Sequence, residues 1–320
     1  MGALSNQLLV VTILLYIVAM LAYAIEFAFG GRGAVARVAT RELVVAGSAP
    51  AVDSPVDPLE LEPDPPSKLP SRVGLAAVAF TVLGAAAHAG TLLTRGLAAG
   101  RVPWGNMYEF VIAVSLVGTV AWLLVLTRRP QLRHLGLFVS LVAALLLAVA
   151  GMVLYTQAGP LVPALHSYWL VIHVTAAATA SGILLVGFVG AALHLMRLGY
   201  DQGKRRFPYG LAERLPAVDT LERLTFRVHA FAFPIWTFAI MCGAIWAEAA
   251  WGRYWGWDPK ETWSFVAWVV YACYLHARST PSVSRRITSW IAVIGWIAML
   301  INLFGVNIFA SSFHSYSGLK

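Results

Sequence analysis

Apolar residues run in blocks along most of the chain, separated by short polar stretches that contain Gly, Pro and Arg. Crossing the hydrocarbon core of a bilayer takes about 20 mostly apolar residues in helical form. Blocks of that order occur at 7–29, 73–94, 107–127, 135–154, 168–196, 229–247, 261–277 and 287–309. They predict an all-α polytopic integral membrane protein with about eight transmembrane helices. No Lys or Arg precedes the first block, and basic residues follow it. It is therefore expected to be a retained helix and not a cleaved signal peptide. The domain reading has three parts: 1–30 a first transmembrane helix, 31–72 a flexible cytoplasmic linker, and 73–320 one membrane domain. The linker is assigned on its 47–70 stretch, rich in Pro, Asp and Glu and poor in aromatic residues.

Composition agrees and excludes a soluble domain: 59% hydrophobic and 12% charged residues, with a mean hydropathy of +0.73. The net charge of +8 carries no nucleic-acid reading, because it is partitioned by loop. Eighteen of the 23 Lys and Arg fall in the loops after spans 1, 3, 5 and 7, including the long basic stretch 197–227. The other five are Arg95, Arg101, Arg253, Lys260 and Lys320. The positive-inside rule places the first set in the cytoplasm, with both termini outside. Cys242 and Cys273 lie inside spans 6 and 7 without CxxC spacing, so they read as buried small thiols.

One stretch stands out against this background. Residues 246–268 hold Trp246, Trp251, Trp255, Trp257, Trp263 and Trp268, six of the twelve tryptophans in the chain. Interfacial aromatic belts are spread over several helix ends, whereas these are gathered in one external loop. The density points to a platform for a large, flat, apolar ligand. Gly252 and Gly256 permit turns that present Trp251, Tyr254, Trp255 and Trp257. Asp258-Pro259-Lys260-Glu261 reads as a helix start: an N-cap, a proline at the first helical position and a capping-box Glu.

The histidines are then weighed by depth. His173 lies two turns inside span 5 near the outer side, seven residues and about 10 Å beyond His166. His314 follows span 8 on the same side. His276 shares a face of span 7 with Asp258 but lies about 27 Å deeper, at the cytoplasmic end. His88, in Gly84-Ala-Ala-Ala-His-Ala-Gly90, is an ionisable group inside a span. It is open to a functional role and to a neutral, packed one. His134 reads as solvated, and His194 and His229 as structural. Glu26 lies at a boundary where solvation is easy. Two neutral imidazoles, His173 and His314, flanking an aromatic shelf are what six-coordinate haem iron requires. Arg253, Lys260, Arg95 or Arg101 could meet the propionates, although interfacial anchoring is the simpler role for the last two. Zinc lacks third and fourth ligands at usual spacings. A proton-coupled transporter would place its ionisable groups at mid-membrane.

Trp-Gly-Arg-Tyr-Trp-Gly-Trp-Asp-Pro-Lys-Glu-Thr-Trp (251–263) resembles the tryptophan-rich WWD box of the haem-handling proteins of cytochrome c maturation. Arg95…Pro103…Asn106-Met-Tyr-Glu109, Ser167-Tyr-Trp-Leu-Val-Ile-His173, Tyr274-Leu-His276 and Phe313-His-Ser-Tyr316 narrow the resemblance to the system II CcsA (ResC, CcsB-type) family over residues 73–318. The resemblance implies haem b as substrate and ligand. His173 and His314 would be axial ligands of an outer haem, and His276 a ligand of an inner one, all binding haem iron. Trp251, Arg253, Tyr254, Trp255, Trp257, Asp258, Lys260 and Trp263 would form the cofactor-binding surface; no catalytic acid or base is assigned. It also implies a multi-pass cell-membrane protein with an extracytoplasmic site. Its implied activity is cytochrome c haem-lyase (synthase) activity with a Ccs1/ResB-type membrane subunit. Apocytochrome c and thiol-reducing thioredoxin-like proteins would be further partners. A haem exporter or chaperone without attachment activity is the alternative.

Overall fold

The computed structural model describes residues 1–29, 68–161, 165–310, 313 and 314. Among them are eight long helices and no strand. They are α1 (Gly2–Phe29), α2 (Lys68–Ala99), α3 (Met107–Arg128), α4 (Gly136–Met152), α5 (Tyr168–Asp201), α6 (Val218–Trp251), α7 (Pro259–Ser279) and α8 (Arg285–Leu300). A 3₁₀ turn, Pro130–Leu135, leads into α4, and a π turn, Ile301–Gly305, carries α8 on to Val306–Phe309.

The chain is a multi-pass membrane protein. Seven of these helices are long and apolar enough to cross a bilayer; α7 is not among them. Its 21 residues would reach about 31 Å. Lys260 and Glu261 at one end and His276 and Arg278 at the other lower its hydropathy, although its middle is apolar and aromatic. The helices also outrun the predicted spans. α5 and α6 are 34 residues each, so 197–201 and 218–227 of the supposed loop belong to these helices, leaving 202–217 between them. Polar residues such as Arg223 and Arg227 extend the helix beyond the apolar run, because backbone hydrogen bonding does not stop where hydropathy falls. The linker expected at 31–72 lies outside the described residues up to 67, and from Lys68 the chain is already α2.

Two ends of the bundle can be told apart by their polar ties. At the tryptophan-loop end, Ser5 Oγ donates to Thr91 O at 3.0 Å and Asn6 Nδ2 to Tyr155 OH at 3.0 Å. At the basic end Arg133 pairs with Glu26 at 2.5 Å, and Arg278 with Glu222. Glu26 is thus buried, contrary to the solvated expectation: the 3₁₀ turn brings Arg133 against α1. The same turn lays His134 beside Phe27, ring centroids 6.1 Å apart, and buries its Nε2. His134 is therefore not the solvated histidine expected of a loop.

α1 and α2 pair with each other, and α5 packs against α3, α6 and α8. Its small residues allow close approach: a Cβ at Gly182 would lie 2.7 Å from the backbone of Val114 and of Gly118 on α3. His88 is buried between α1 and its own helix, with Nδ1 3.2 Å from Tyr16 OH. His194 meets Ser289 Oγ at 2.7 Å, and His229 Nδ1 donates to Thr225 O at 2.8 Å. These three have packing partners inside the bundle. Cys242 is buried, but Cys273 faces outward from α7, against the expectation of two buried thiols.

Candidate functional site

The start of α7 organises the loop. Asp258 caps the helix by accepting from Lys260 N–H at 2.9 Å, and Glu261 completes the capping box by accepting from Asp258 N–H at 3.1 Å. Glu261 also accepts from Gly256 N–H at 2.8 Å and from Arg253 at 3.1 Å. At the other end of the loop, α6 stops at Gly252 with φ +70°, a left-handed C-terminal turn that costs glycine nothing. Between these stops the tryptophans divide into two groups. Trp255 and Tyr254 line a cavity, together with Trp104 and Trp246. Trp257 turns away from it, 66% exposed, its φ of +56° in the left-handed region that few bulky residues occupy. Trp263 packs against the core of the bundle.

The cavity has a volume of about 210 Å³ and runs down between α3, α5, α6 and α8. His173 and His314 both line it. His173 Nδ1–H donates to Ala239 O at 2.7 Å, and the ring stacks on Trp246 at 11° with 6.1 Å between centroids. His314 Nδ1–H donates to Asp258 Oδ1 at 3.0 Å, and Trp251 meets the ring edge-on at 4.9 Å. Both acceptors can only accept, so each imidazole carries a proton on Nδ1, and in its neutral form the lone pair is on Nε2. A metal-ligating histidine generally has its second nitrogen held in this way.

Asp258 carries three hydrogen bonds, adding Phe313 N–H at 2.8 Å to those from Lys260 and His314. Burial raises its pKa, but the bonds from His314, Lys260 and Phe313 outweigh that and hold the carboxyl below the usual range. The residue read from sequence mainly as a helix cap thus also holds the segment that bears His314. Lys260 lines the cavity and donates to Asn302 O at 3.0 Å, in the π turn of α8. Arg253 is not on the cavity; it lies over Trp251 and Phe313 and pairs with Glu261.

Arg95 and Arg101 are not interfacial anchors. Both pair with Glu109, which is fully buried, at 3.0 and 2.8 Å. Arg95 further donates to Thr156 O, and Arg101 to Gly159 O at 3.0 Å. This clamp joins the α2–α3 loop to the stretch after α4 beside the cavity. Sequence reasoning left Trp104 out of the site, and it counted Trp246 in the tryptophan cluster without naming it as a cofactor-binding residue. His276 is apart from all of this, exposed in the last turn of α7, and His166 is exposed with Nε2 3.2 Å from Leu161 O.

Comparison with known proteins bears on this arrangement directly. The family model described as "Cytochrome C assembly protein" matches residues 104–314. The chain belongs to that family. The match takes in Trp104, His173, the tryptophan loop and His314, the components of the cavity wall. Among similar proteins named "Cytochrome c biogenesis protein CcsA", that of Guillardia theta is 33% identical over 243 residues, covering 71% of this chain and 80% of the relative. That of Synechocystis sp. is 32% identical, covering 69% and 82%. That of Porphyra purpurea is 30% identical, covering 76% and 87%.

Proposed function

We propose that the protein is the haem-handling membrane subunit of a system II cytochrome c synthase, acting in cytochrome c maturation. It would hold haem at the tryptophan-loop end and present it for thioether attachment to the Cys-x-x-Cys-His segment of apocytochrome c. One observation carries this reading. His173 and His314 line one aromatic-walled cavity, and each has its Nδ1–H anchored on an acceptor, so that in the neutral rings the lone pairs lie on Nε2. Family membership supports the same assignment.

Haem is the substrate here. The two Nε2 atoms would ligate its iron, the indoles of Trp246 and Trp255 would face the macrocycle, and Lys260 would meet a carboxylate. At about 210 Å³ the cavity is smaller than the roughly 300–1,000 Å³ of pockets that enclose drug-sized ligands. A macrocycle held there would therefore keep an edge at the mouth, where incoming thiols can reach a vinyl group. Thioether formation adds each S–H across a vinyl double bond, so positioning is the main contribution asked of the protein. The exposed His276 suits a second, inner haem site completed by a ligand from a Ccs1/ResB-type subunit, with haem entering from the basic end. Thioredoxin-like proteins would keep the substrate thiols reduced. The basic end would face the cytoplasm and the tryptophan loop the outside.

The test is co-purification of the chain with its partner subunit and an apocytochrome. Wild type should show a haem Soret band and yield covalent holocytochrome. His173→Ala and His314→Ala should each lose outer-site haem, and added imidazole should partly restore it. A preparation without haem under all conditions would overturn the reading. Bound haem without covalent product would instead support an exporter or chaperone.

A further inference from the structure

The stretch between α5 and α6 takes no part in the cavity wall, yet it is folded and strongly charged. Within 197–215 five residues are Lys or Arg and two are acidic. Arg197 is tied internally: Nε pairs with Asp201 at 3.0 Å, and a terminal nitrogen donates to Leu215 O at 2.8 Å. Lys204 N–H donates to Gly199 O at 3.1 Å, and a Cβ at Gly199 would collide with the Tyr209 ring, so the loop is packed onto the end of α5. Aromatic rings hold two of its cations. Lys204 Nζ lies 4.9 Å from the Tyr209 centroid; the Arg205 guanidinium lies 3.9 Å from that of Tyr200 and donates to Tyr200 O. Arg206 is exposed, and Phe207 after it is 85% exposed. The remaining acid, Glu213, is next to Arg214 in the chain, so the excess positive charge gathers at 204–206.

The depth of this loop follows from the helices. His194 of α5 meets Ser289 of α8. Arg197 lies three residues beyond that contact on α5, and Arg285 four residues before it on α8. Both therefore stand about 5–6 Å further toward the basic end, where the apolar runs stop. α5 continues only four residues past Arg197, about 6 Å, comparable with the headgroup layer of about 5–8 Å on each side of a bilayer. The loop thus lies at headgroup depth. We infer that Lys204, Arg205, Arg206 and Phe207 form a binding site for anionic phospholipid in the leaflet at the basic end. The three cations meet the headgroup phosphate, whose oxygens suit a guanidinium fork. Phe207 enters the interfacial layer beside them, as aromatic rings at bilayer boundaries do. Cations and ring together select the source of the phosphate: a soluble anion would leave Phe207 in water, whereas a lipid covers it. Tyr200 and Tyr209 orient two of the cations before lipid arrives, so less side-chain freedom is lost on binding. The site is separate from the cavity beneath the tryptophan loop and does not depend on what that cavity holds.

Native mass spectrometry of the full-length chain in non-ionic detergent tests the assignment, with phosphatidylglycerol, phosphatidylcholine or inorganic phosphate titrated in. Phosphatidylglycerol is expected to be retained more tightly than zwitterionic phosphatidylcholine, and the difference should shrink as salt is raised. Arg206→Gln, which removes an exposed charge, should weaken phosphatidylglycerol about fivefold, the scale for one basic residue at an anionic surface. Arg206→Lys should keep most of the affinity. Phe207→Ala should weaken both lipids, because the ring contributes apolar contact whatever the headgroup charge. Arg129→Gln is the control: Arg129 is also exposed at the basic end but lies outside this loop, and its loss should leave retention unchanged. Unchanged phosphatidylglycerol retention in Arg206→Gln would overturn the inference. Equal losses in Arg206→Gln and Arg129→Gln would also overturn it, leaving a diffuse basic belt in place of a site. Displacement of the lipid by inorganic phosphate would overturn it too, assigning the cations to a soluble anion.

Discussion

At the scale of single residues, the site depends on side chains whose second contacts fix them. Gly243 is the clearest case. A methyl group there would press on the His173 imidazole at 2.8 Å from two ring atoms, and the ring is already stacked on Trp246. Gly243→Ala is expected to cost about 1–3 kcal/mol of overpacking, as inserted methyl groups in packed interiors do. Haem content should fall more than folded yield, which size-exclusion profiles and the Soret-to-protein ratio can separate. Glu109 is a second case, buried between Arg95 and Arg101 and taking a bond from Gly105 N–H at 2.7 Å. Removing one partner of a buried ion pair commonly costs about 3–5 kcal/mol, because the other charge stays behind. Glu109→Ala leaves two guanidinium groups without their carboxylate, so it should lower the unfolding temperature in detergent markedly. Glu109→Gln, which keeps acceptor and shape, should be milder.

At the scale of elements, much was legible in local sequence and some was not. The hydropathy blocks located every long helix, and Asp258-Pro259-Lys260-Glu261 spelled out the start of α7, because capping uses residues within one turn. The ends of α5 and α6 were not legible, since a polar helical extension and a polar loop have similar composition. Nor was the division of the tryptophans, Trp255 lining the cavity and Trp257 exposed with a positive φ, since loop backbone conformation is not encoded by periodicity. The roles of Arg95 and Arg101 were hidden for another reason. Their partners lie apart in the chain, Glu109 in the first turn of α3 and Thr156 and Gly159 in the stretch after α4. The crossing of α3 and α5 gives a prediction at this scale. Gly182 and Gly118 approach so closely that a side chain at 182 would meet backbone, which cannot rotate away. Gly182→Leu is expected to abolish folded yield, and Gly182→Ala to lower thermal stability by about 1–3 kcal/mol. Fluorescence-detected gel filtration would show both.

At the scale of the whole molecule, the open issue is how the two ends cooperate. The cavity lies at one end of the bundle, while His276 is exposed near the basic end, 18 residues along α7 from Asp258, or about 27 Å by helical rise. In the proposed reading it is too far away to serve an iron ligated by His173 and His314. The inward histidines at its depth are already engaged, His194 with Ser289 and His229 with Thr225 O between Tyr271 and Tyr274. Both are buried, whereas His276 faces out of the bundle, so neither is placed to share a macrocycle with it. A polar imidazole on an outward face near a membrane boundary is best satisfied by something that docks there. The expected consequence is a division of phenotypes. His276→Ala, co-expressed with the partner subunit and an apocytochrome, should lower haem at both sites, because the inner site would supply the outer one. His314→Ala should deplete the outer site and leave inner haem in place. Added imidazole should restore holocytochrome to the His276 variant by filling the vacant coordination position. Normal holocytochrome yield from His276→Ala without imidazole would make His276 a surface histidine and leave the outer cavity to acquire haem by another route.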